Sequence, residues 1–141
     1  MSFFLVKQAS CIKGEILLPG DKSIACRSII ISAVSQGKTA INNFPPNKDC
    51  FYAVETFRKL GIKITKNRIL KEISVQGNGL YGLKKPGGHV FVGDSGTTLR
   101  LTLGVLAGQS FPVTLTGGKS LAQRPMLRVT APLRIMGAII N

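Results

Sequence analysis

Three short stretches of this chain carry side chains suited to holding anions. The first is Gly20-Asp21-Lys22-Ser23, with Arg27 four residues beyond Ser23. The second is Gly93-Asp94-Ser95-Gly96-Thr97-Thr98, with Arg100 four beyond Gly96, and the third is Gln123-Arg124-Pro125. A step of four returns to the same face of a helix, so Lys22, Ser23 and Arg27 can converge on one oxyanion. The opening turn of a helix adds unpaired N–H groups and a partial positive charge. Gly96 lets a ligand approach the main chain, and Pro125 at a first helical position would put Arg124 near a cap. Three such starts suit one multiply charged metabolite or two anionic substrates side by side. A plainer role for Asp21 and Asp94 is helix N-capping. Ser23 is no nucleophile, since His89 is the sole histidine and reads as the start of a strand. Neither GxxxxGK[ST] nor GxGxxG is matched, which argues against nucleoside triphosphate or dinucleotide binding.

The elements that must position these residues occur twice. Gly20, Asp21 and Arg27 match Gly93, Asp94 and Arg100 at one constant offset. Further on, Arg58-Lys59-Leu60-Gly61-Ile62 matches Arg134-Ile135-Met136-Gly137-Ala138 at an offset three residues longer. That is the pattern of two copies of one supersecondary unit. The first copy reads as a strand at 15–18 ended by Pro19-Gly20, then a helix at 23–35 with Ile24, Ile30, Ile31 and Val34 as its apolar positions and Gly37 as its stop. A strand at 39–43, a Pro45-Pro46 loop and a helix at 49–60 follow, the helix striped by Phe51, Val54, Phe57 and Leu60. Strands at 62–65 and 69–75 join through Lys66-Asn67-Arg68. The second copy reads as a strand at 89–92, a helix at 95–107, a strand at 112–116, a helix at 126–136 and a strand opening at Ala138. Residues 77–88, rich in glycine, read as the linker.

The predicted fold class is therefore α/β (α+β), built of repeated βαβαββ units with the second incomplete. The expected divisions are an N-terminal strand region at 1–18, a first unit at 19–79 and a truncated second unit at 80–141. A sheet halted there would have an open edge, so the chain is expected to continue or to lean on a partner.

Composition narrows the class of partner. The chain has 141 residues, 44% hydrophobic and 18% charged, enough for one cored domain and against a disordered chain or a coiled coil. Nineteen Lys and Arg against six Asp and Glu leave +13, which points to anionic partners. Cys11, Cys26 and Cys50 form no CxxC pair, so they read as free thiols in a reducing cytoplasm, and no metal site is expected. Apolar runs are too short to span a bilayer, and no signal peptide is evident, so a cytoplasmic protein without membrane contact is predicted. The basic charge also suggests a nucleic-acid-binding module. Scattered lysines, no Trp and 6% aromatic residues disfavour it.

At 18–27 (L-P-G-D-K-S-I-A-C-R), 93–100 (G-D-S-G-T-T-L-R) and 124–129 (R-P-M-L-R-V) the sequence resembles the 5-enolpyruvylshikimate-3-phosphate synthases. The order and spacing hold from residue 16 to 141. UDP-N-acetylglucosamine enolpyruvyl transferases fit less well, having Lys-Asn where this chain has Lys22-Ser23. The resemblance implies a shikimate-pathway transferase that moves the carboxyvinyl group of phosphoenolpyruvate onto the 5-hydroxyl of shikimate 3-phosphate, releasing phosphate without a cofactor. It implies two similar domains, each of three βαβαββ units, closing on the substrates. By matching position, Lys22, Ser23 and Arg27 would hold shikimate 3-phosphate, and Lys22, Gly96 and Arg124 phosphoenolpyruvate. Asp94, Thr97 and Arg100 would line the same pocket, and Lys22 would act catalytically as a charge shared by both substrates.

Asp94 stands where the family commonly has Asn, placing a carboxylate beside bound anions, where it would repel them unless paired. Leu101 follows the motif arginine where many members have Pro. The family enzyme is longer, so its third unit, most of the other domain and its acid–base groups would lie in a C-terminal part not included in this sequence. The 141 residues alone are expected to fold, to bind phosphorylated ligands and not to turn over.

Overall fold

The computed structural model describes residues 2–67, 69 and 72–141. Helix α1 (Lys22–Val34) starts at Asp21, whose carboxylate accepts a hydrogen bond from the Ile24 amide at 2.7 Å and so caps the first turn. The expected apolar stripe of α1 is corrected. Ala25, Cys26, Ile29, Ile30 and Ala33 face the core, while Ile24 and Ile31 are exposed. Apolar residues surround this helix, so spacing alone does not select its inner face. The small side chains of Ala25, Cys26 and Ala33 turn inward, where neighbouring elements come close.

Strand β1 (Gln36–Ile41) begins three residues earlier than expected, because α1 already ends at Ser35. Helix α2 (Lys48–Lys59) is capped by Asn47, whose side-chain oxygen accepts from the Asp49 amide at 2.8 Å. Its buried face is Cys50, Ala53, Val54, Thr56 and Phe57. Phe51, expected in that stripe, is instead exposed and meets Tyr52 edge-on with ring centroids 5.8 Å apart. Strands β2 (Lys63–Asn67) and β3 (Glu72–Asn78) follow. Lys66 and Asn67, expected in the turn, belong to β2, while Arg68, Leu70 and Lys71 lie outside the described residues. Gly77 and Asn78, expected in the linker, are strand residues.

The sheet has the order β1-β3-β2, with both neighbours antiparallel to β3. Ile73 pairs with Ile41 and Lys66, and Val75 with Thr39 and Ile64, so one face of β3 supplies apolar side chains beneath α1 and α2. Phe57, Leu60, Ile29, Ile73 and Val75 form the fully buried centre, each contributing roughly 1.5–3 kcal/mol by leaving water.

The remaining elements are β4 (Val90–Phe91), α3 (Gly96–Ala107), β5 (Leu115–Thr116), α4 (Lys119–Ala122) and α5 (Leu127–Ile135). Strands β4 and β5 pair in parallel, with Val90 opposite Leu115, and α3 is the crossover that parallel pairing demands. Strand β5 is shorter than expected, and α4 was not expected at all. Pro125 is corrected too. Helix α5 opens at Leu127 with Met126 as its cap, so Pro125 and Arg124 lie in the turn before it.

Two expected strands are absent. Residues 15–18 are extended and exposed with no strand beside them; the Leu18 carbonyl is taken by the Asn43 side-chain amide at 3.2 Å. After Ala138 the backbone is claimed by the end of α5 instead. The Ala138 N–H donates to the Leu133 carbonyl, and the Arg134 guanidinium donates twice to the Ile140 carbonyl. Among the described residues no helix is long and apolar enough to cross a membrane.

Candidate functional site

The turn from β4 into α3 depends on Gly93. Its φ is +63°, and a Cβ there would run into the ring of Tyr52. Tyr52 is itself braced edge-on by Phe91, with centroids 5.5 Å apart. Two hydrogen bonds tie this turn to α4: the Gly118 N–H donates to the Gly93 carbonyl at 2.9 Å, and the Leu121 N–H to Asp94 Oδ1 at 3.0 Å. The cap of α3 is therefore Ser95, not Asp94. The Ser95 hydroxyl accepts from the Thr98 amide at 3.3 Å and lies 2.9 Å from the Thr98 hydroxyl.

Gly96 is the first residue of α3, and two arginines close over it. A Cβ at Gly96 would stand 3.1 Å from Nη1 of Arg100 and 3.2 Å from Nη1 of Arg124. Two guanidinium groups thus point at the start of one helix, next to amides that no intrahelical carbonyl can reach. The Nε of Arg100 is buried and has no hydrogen-bond partner among the described residues. A buried donor without an acceptor is costly, and the two Nη1 groups are the donors that an anion over Gly96 would meet. Arg124 makes one long hydrogen bond, 3.4 Å, to the Ser120 hydroxyl and is otherwise exposed. Thr97 lies next to Gly96, half-buried.

The start of α1 is organised differently. Lys22 Nζ donates to Asp49 Oδ2 at 3.1 Å, across 27 residues of sequence. That hydrogen bond, and the attraction behind it, hold the ammonium above its ordinary pKa of 10.5. Ser23 is half-buried beside it, and Arg27 is exposed one turn further along. Behind Lys22 the Cys26 and Cys50 thiols meet, with Sγ atoms 3.8 Å apart, and Cys50 Sγ donates to the Lys22 carbonyl at 3.6 Å. Thr98 of α3 is near enough to the Cys26 thiol to influence it, and α1 packs against α3. Lys22 is one turn before Cys26, and Gly96 is two residues before Thr98. The two helix starts therefore lie side by side.

Gly96, Arg100 and Arg124 are brought together, and Lys22 and Ser23 stand at the adjoining helix start. Asp94 departs from the expected picture, because its carboxylate is engaged by a backbone N–H of α4 rather than by an arginine. Two residues escaped sequence reasoning. Asp49, which holds Lys22, looked like an ordinary helix-opening acid, and Cys50 carried no sign that it faces Cys26. Among the described residues no group of three or more His, Cys, Asp or Glu side chains is placed to hold a metal ion.

The fold is a mixed α/β one, with cationic side chains gathered at the starts of α1 and α3. Comparison with known proteins carries this further. The family model described as EPSP synthase (3-phosphoshikimate 1-carboxyvinyltransferase) matches residues 6–141, and the chain belongs to that family. The chain is 49% identical over 132 residues to the 3-phosphoshikimate 1-carboxyvinyltransferase of Bacillus licheniformis, covering 94% of this chain and 30% of the relative. It is 46% identical over 136 residues to that of Brevibacillus brevis, covering 96% and 32%. The solved structure of EPSP synthase from Acinetobacter baumannii superposes with a TM-score of 0.86 at 39% identity, over 91% of this chain and 28% of that one. The chain thus spans about a third of the length of these relatives.

Proposed function

We propose that this chain is the substrate-gripping N-terminal part of an enzyme that transfers the carboxyvinyl group of phosphoenolpyruvate to the 5-hydroxyl of shikimate 3-phosphate. In that reaction the hydroxyl oxygen bonds to C2 of phosphoenolpyruvate, and the C2–O bond to phosphate breaks. The hydroxyl gives up its proton, one proton reaches the methylene carbon and later leaves it, and inorganic phosphate departs with the net proton. Charge accumulates on phosphate and carboxylate oxygens throughout, so fixed cations lower the barrier. Arg100, Arg124 and the amides at Gly96 and Thr97 hold phosphoenolpyruvate. Lys22, oriented by Asp49, lies between the two substrates, and Ser23 and Arg27 take shikimate 3-phosphate. Asp94 acts through the backbone, keeping α4, and with it Arg124, against the Gly96 turn. The recurrence of glycine turn, helix, strand and helix supports a reading as two related units of the βαβαββ kind, the first without its opening strand at 15–18 in this structure.

The observation that carries this reading is the pair of guanidinium groups over Gly96, one with a buried, unpartnered Nε. Among the described residues the starts of α1 and α3 supply cations, while the aspartates beside them are already engaged. Asp21 caps α1, Asp49 pairs with Lys22, and Asp94 is bonded to α4. The 141 residues therefore bind phosphorylated ligands without turning them over. Calorimetric titration with phosphoenolpyruvate and shikimate 3-phosphate, together with a phosphate-release assay, tests this. Saturable binding of both without phosphate release is expected. Absence of binding, or release at a normal enzymic rate, overturns it.

A further inference from the structure

We propose that Cys26 and Cys50 are a modification site: a dithiol that hydrogen peroxide closes into a disulfide, clasping α1 to α2 directly behind Lys22. Both side chains are completely buried, and the Sγ atoms are 3.8 Å apart across 24 residues of sequence. A disulfide needs about 2.05 Å, so the sulfurs must close by less than ~2 Å. They already face each other, since the Cys26 thiol donates to Cys50 Sγ. The Lys22–Asp49 ion pair joins the same two helices beside the thiols, and Thr98 of α3 is near Cys26.

The chemistry balances with one two-electron oxidant. One thiolate attacks hydrogen peroxide, forming a sulfenic acid and releasing hydroxide. The second thiolate attacks that sulfur and expels a second hydroxide. The two thiol protons neutralise both, leaving one disulfide and two waters. Burial favours the protonated thiols, pushing Cys50 up to about 12 and Cys26 upward as well. Thiolate is therefore scarce at neutral pH, and the pair closes slowly, in the moments when the start of α1 opens. Exposed Cys11 is open to the oxidant without any such opening, so it is replaced in the test.

Closure also has a consequence for the cleft. It removes the Cys50 S–H donor from the Lys22 carbonyl and draws the first turns of the two helices together, shifting the Lys22–Asp49 pair. This second part rests on the anion-binding reading of Lys22; the disulfide itself does not.

The experiment uses the Cys11→Ser chain, treated with hydrogen peroxide and compared with Cys11→Ser/Cys50→Ser. The expected result is the loss of two hydrogens in intact mass and a Cys26–Cys50 linked peptide. Both thiols are lost on denaturing titration, all of it reversible by dithiothreitol and absent from the double variant. Inorganic phosphate, titrated into both redox forms, is expected to bind the disulfide form severalfold more weakly. Survival of both thiols, or only sulfinic acid, overturns the dithiol. A disulfide that leaves phosphate affinity unchanged overturns its coupling to Lys22. Failure of the reduced chain to bind phosphate sinks the anion-binding reading, while the linked peptide still decides the dithiol.

Discussion

Replacing Gly96 with alanine puts one methyl group where two guanidinium groups converge. The new carbon lies 3.1 and 3.2 Å from the nearer nitrogens of Arg100 and Arg124, against about 3.5–4.0 Å for relaxed non-bonded contact. Both neighbours are ends of flexible side chains, so they withdraw by a few tenths of an ångström and the backbone stays. Stability holds or rises, because alanine in a helix is favoured over glycine by up to about 1 kcal/mol. Anion binding moves the other way. The methyl occupies the space over the first amides of α3 and spreads the arginines that would grip a phosphate. Charge-assisted hydrogen bonds are worth ~1.5–3 kcal/mol each, and partial loss of one gives roughly a tenfold rise in Kd. Calorimetric titration with phosphoenolpyruvate and thermal unfolding read the two effects separately. Unchanged affinity would refute the cradle. A Tm drop comparable with that of Gly93→Ala would show instead that Gly96 serves the fold. At Gly93 alanine faces both a positive φ and the Tyr52 ring, and severe destabilisation is expected.

Arg124→Ala should weaken phosphoenolpyruvate binding by tenfold or more in the same titration while Tm stays within a degree or two, since Arg124 is exposed and holds only a 3.4 Å bond to Ser120. Asp49→Asn should destabilise by less than ~1 kcal/mol, because the pair with Lys22 is partly open to solvent. The clearer readout is the Lys22 ammonium, which should titrate closer to 10.5 by NMR; no change would mean that the pair does not persist in solution. The Cys50 thiol, held at about 12 against 9.0 for an ordinary thiol, keeps its proton in the folded chain where the unfolded chain loses it. Its contribution is whole below pH 9.0 and is lost as pH rises toward 12, at up to ~1.4 kcal/mol per unit. Unfolding midpoints measured from pH 8 to 11 should fall less steeply for Cys50→Ala than for the parent, and parallel curves would contradict this.

Much of the scaffold is written in local chemistry. The helices expected at 49–60 and 95–107 lie within one residue of α2 and α3, although the caps, Asn47 and Ser95, were not foreseen. The residues proposed to face anions stand out in the sequence because glycine, hydroxyl and arginine recur at corresponding predicted helix starts. Other features depend on what lies opposite. Ile24 and Ile31 are as apolar as Ile29 and Ile30, and only the packed partners decide which pair is buried. The strand at 15–18 has the right residues but no neighbour to bond with. Helix α4, at four residues, is too short for any periodicity, and its presence moves Pro125 out of the helix that follows. The pairs Lys22–Asp49 and Cys26–Cys50 join positions more than twenty residues apart, a relation that no local pattern encodes.

The two bonds from the Gly93-Asp94 turn to α4 tie together the backbone segments that carry Arg100 and Arg124. Arg100 rides on the helix that the turn launches, and Arg124 follows directly after the segment stitched to it. On the proposed reading, a phosphorylated ligand would meet backbone already held in place and would order less of the protein in docking. The same stitching makes the amides of Gly118 and Leu121 a gauge of that stiffness: their deuterium uptake should slow together, and both should quicken once the Asp94 carboxylate is removed.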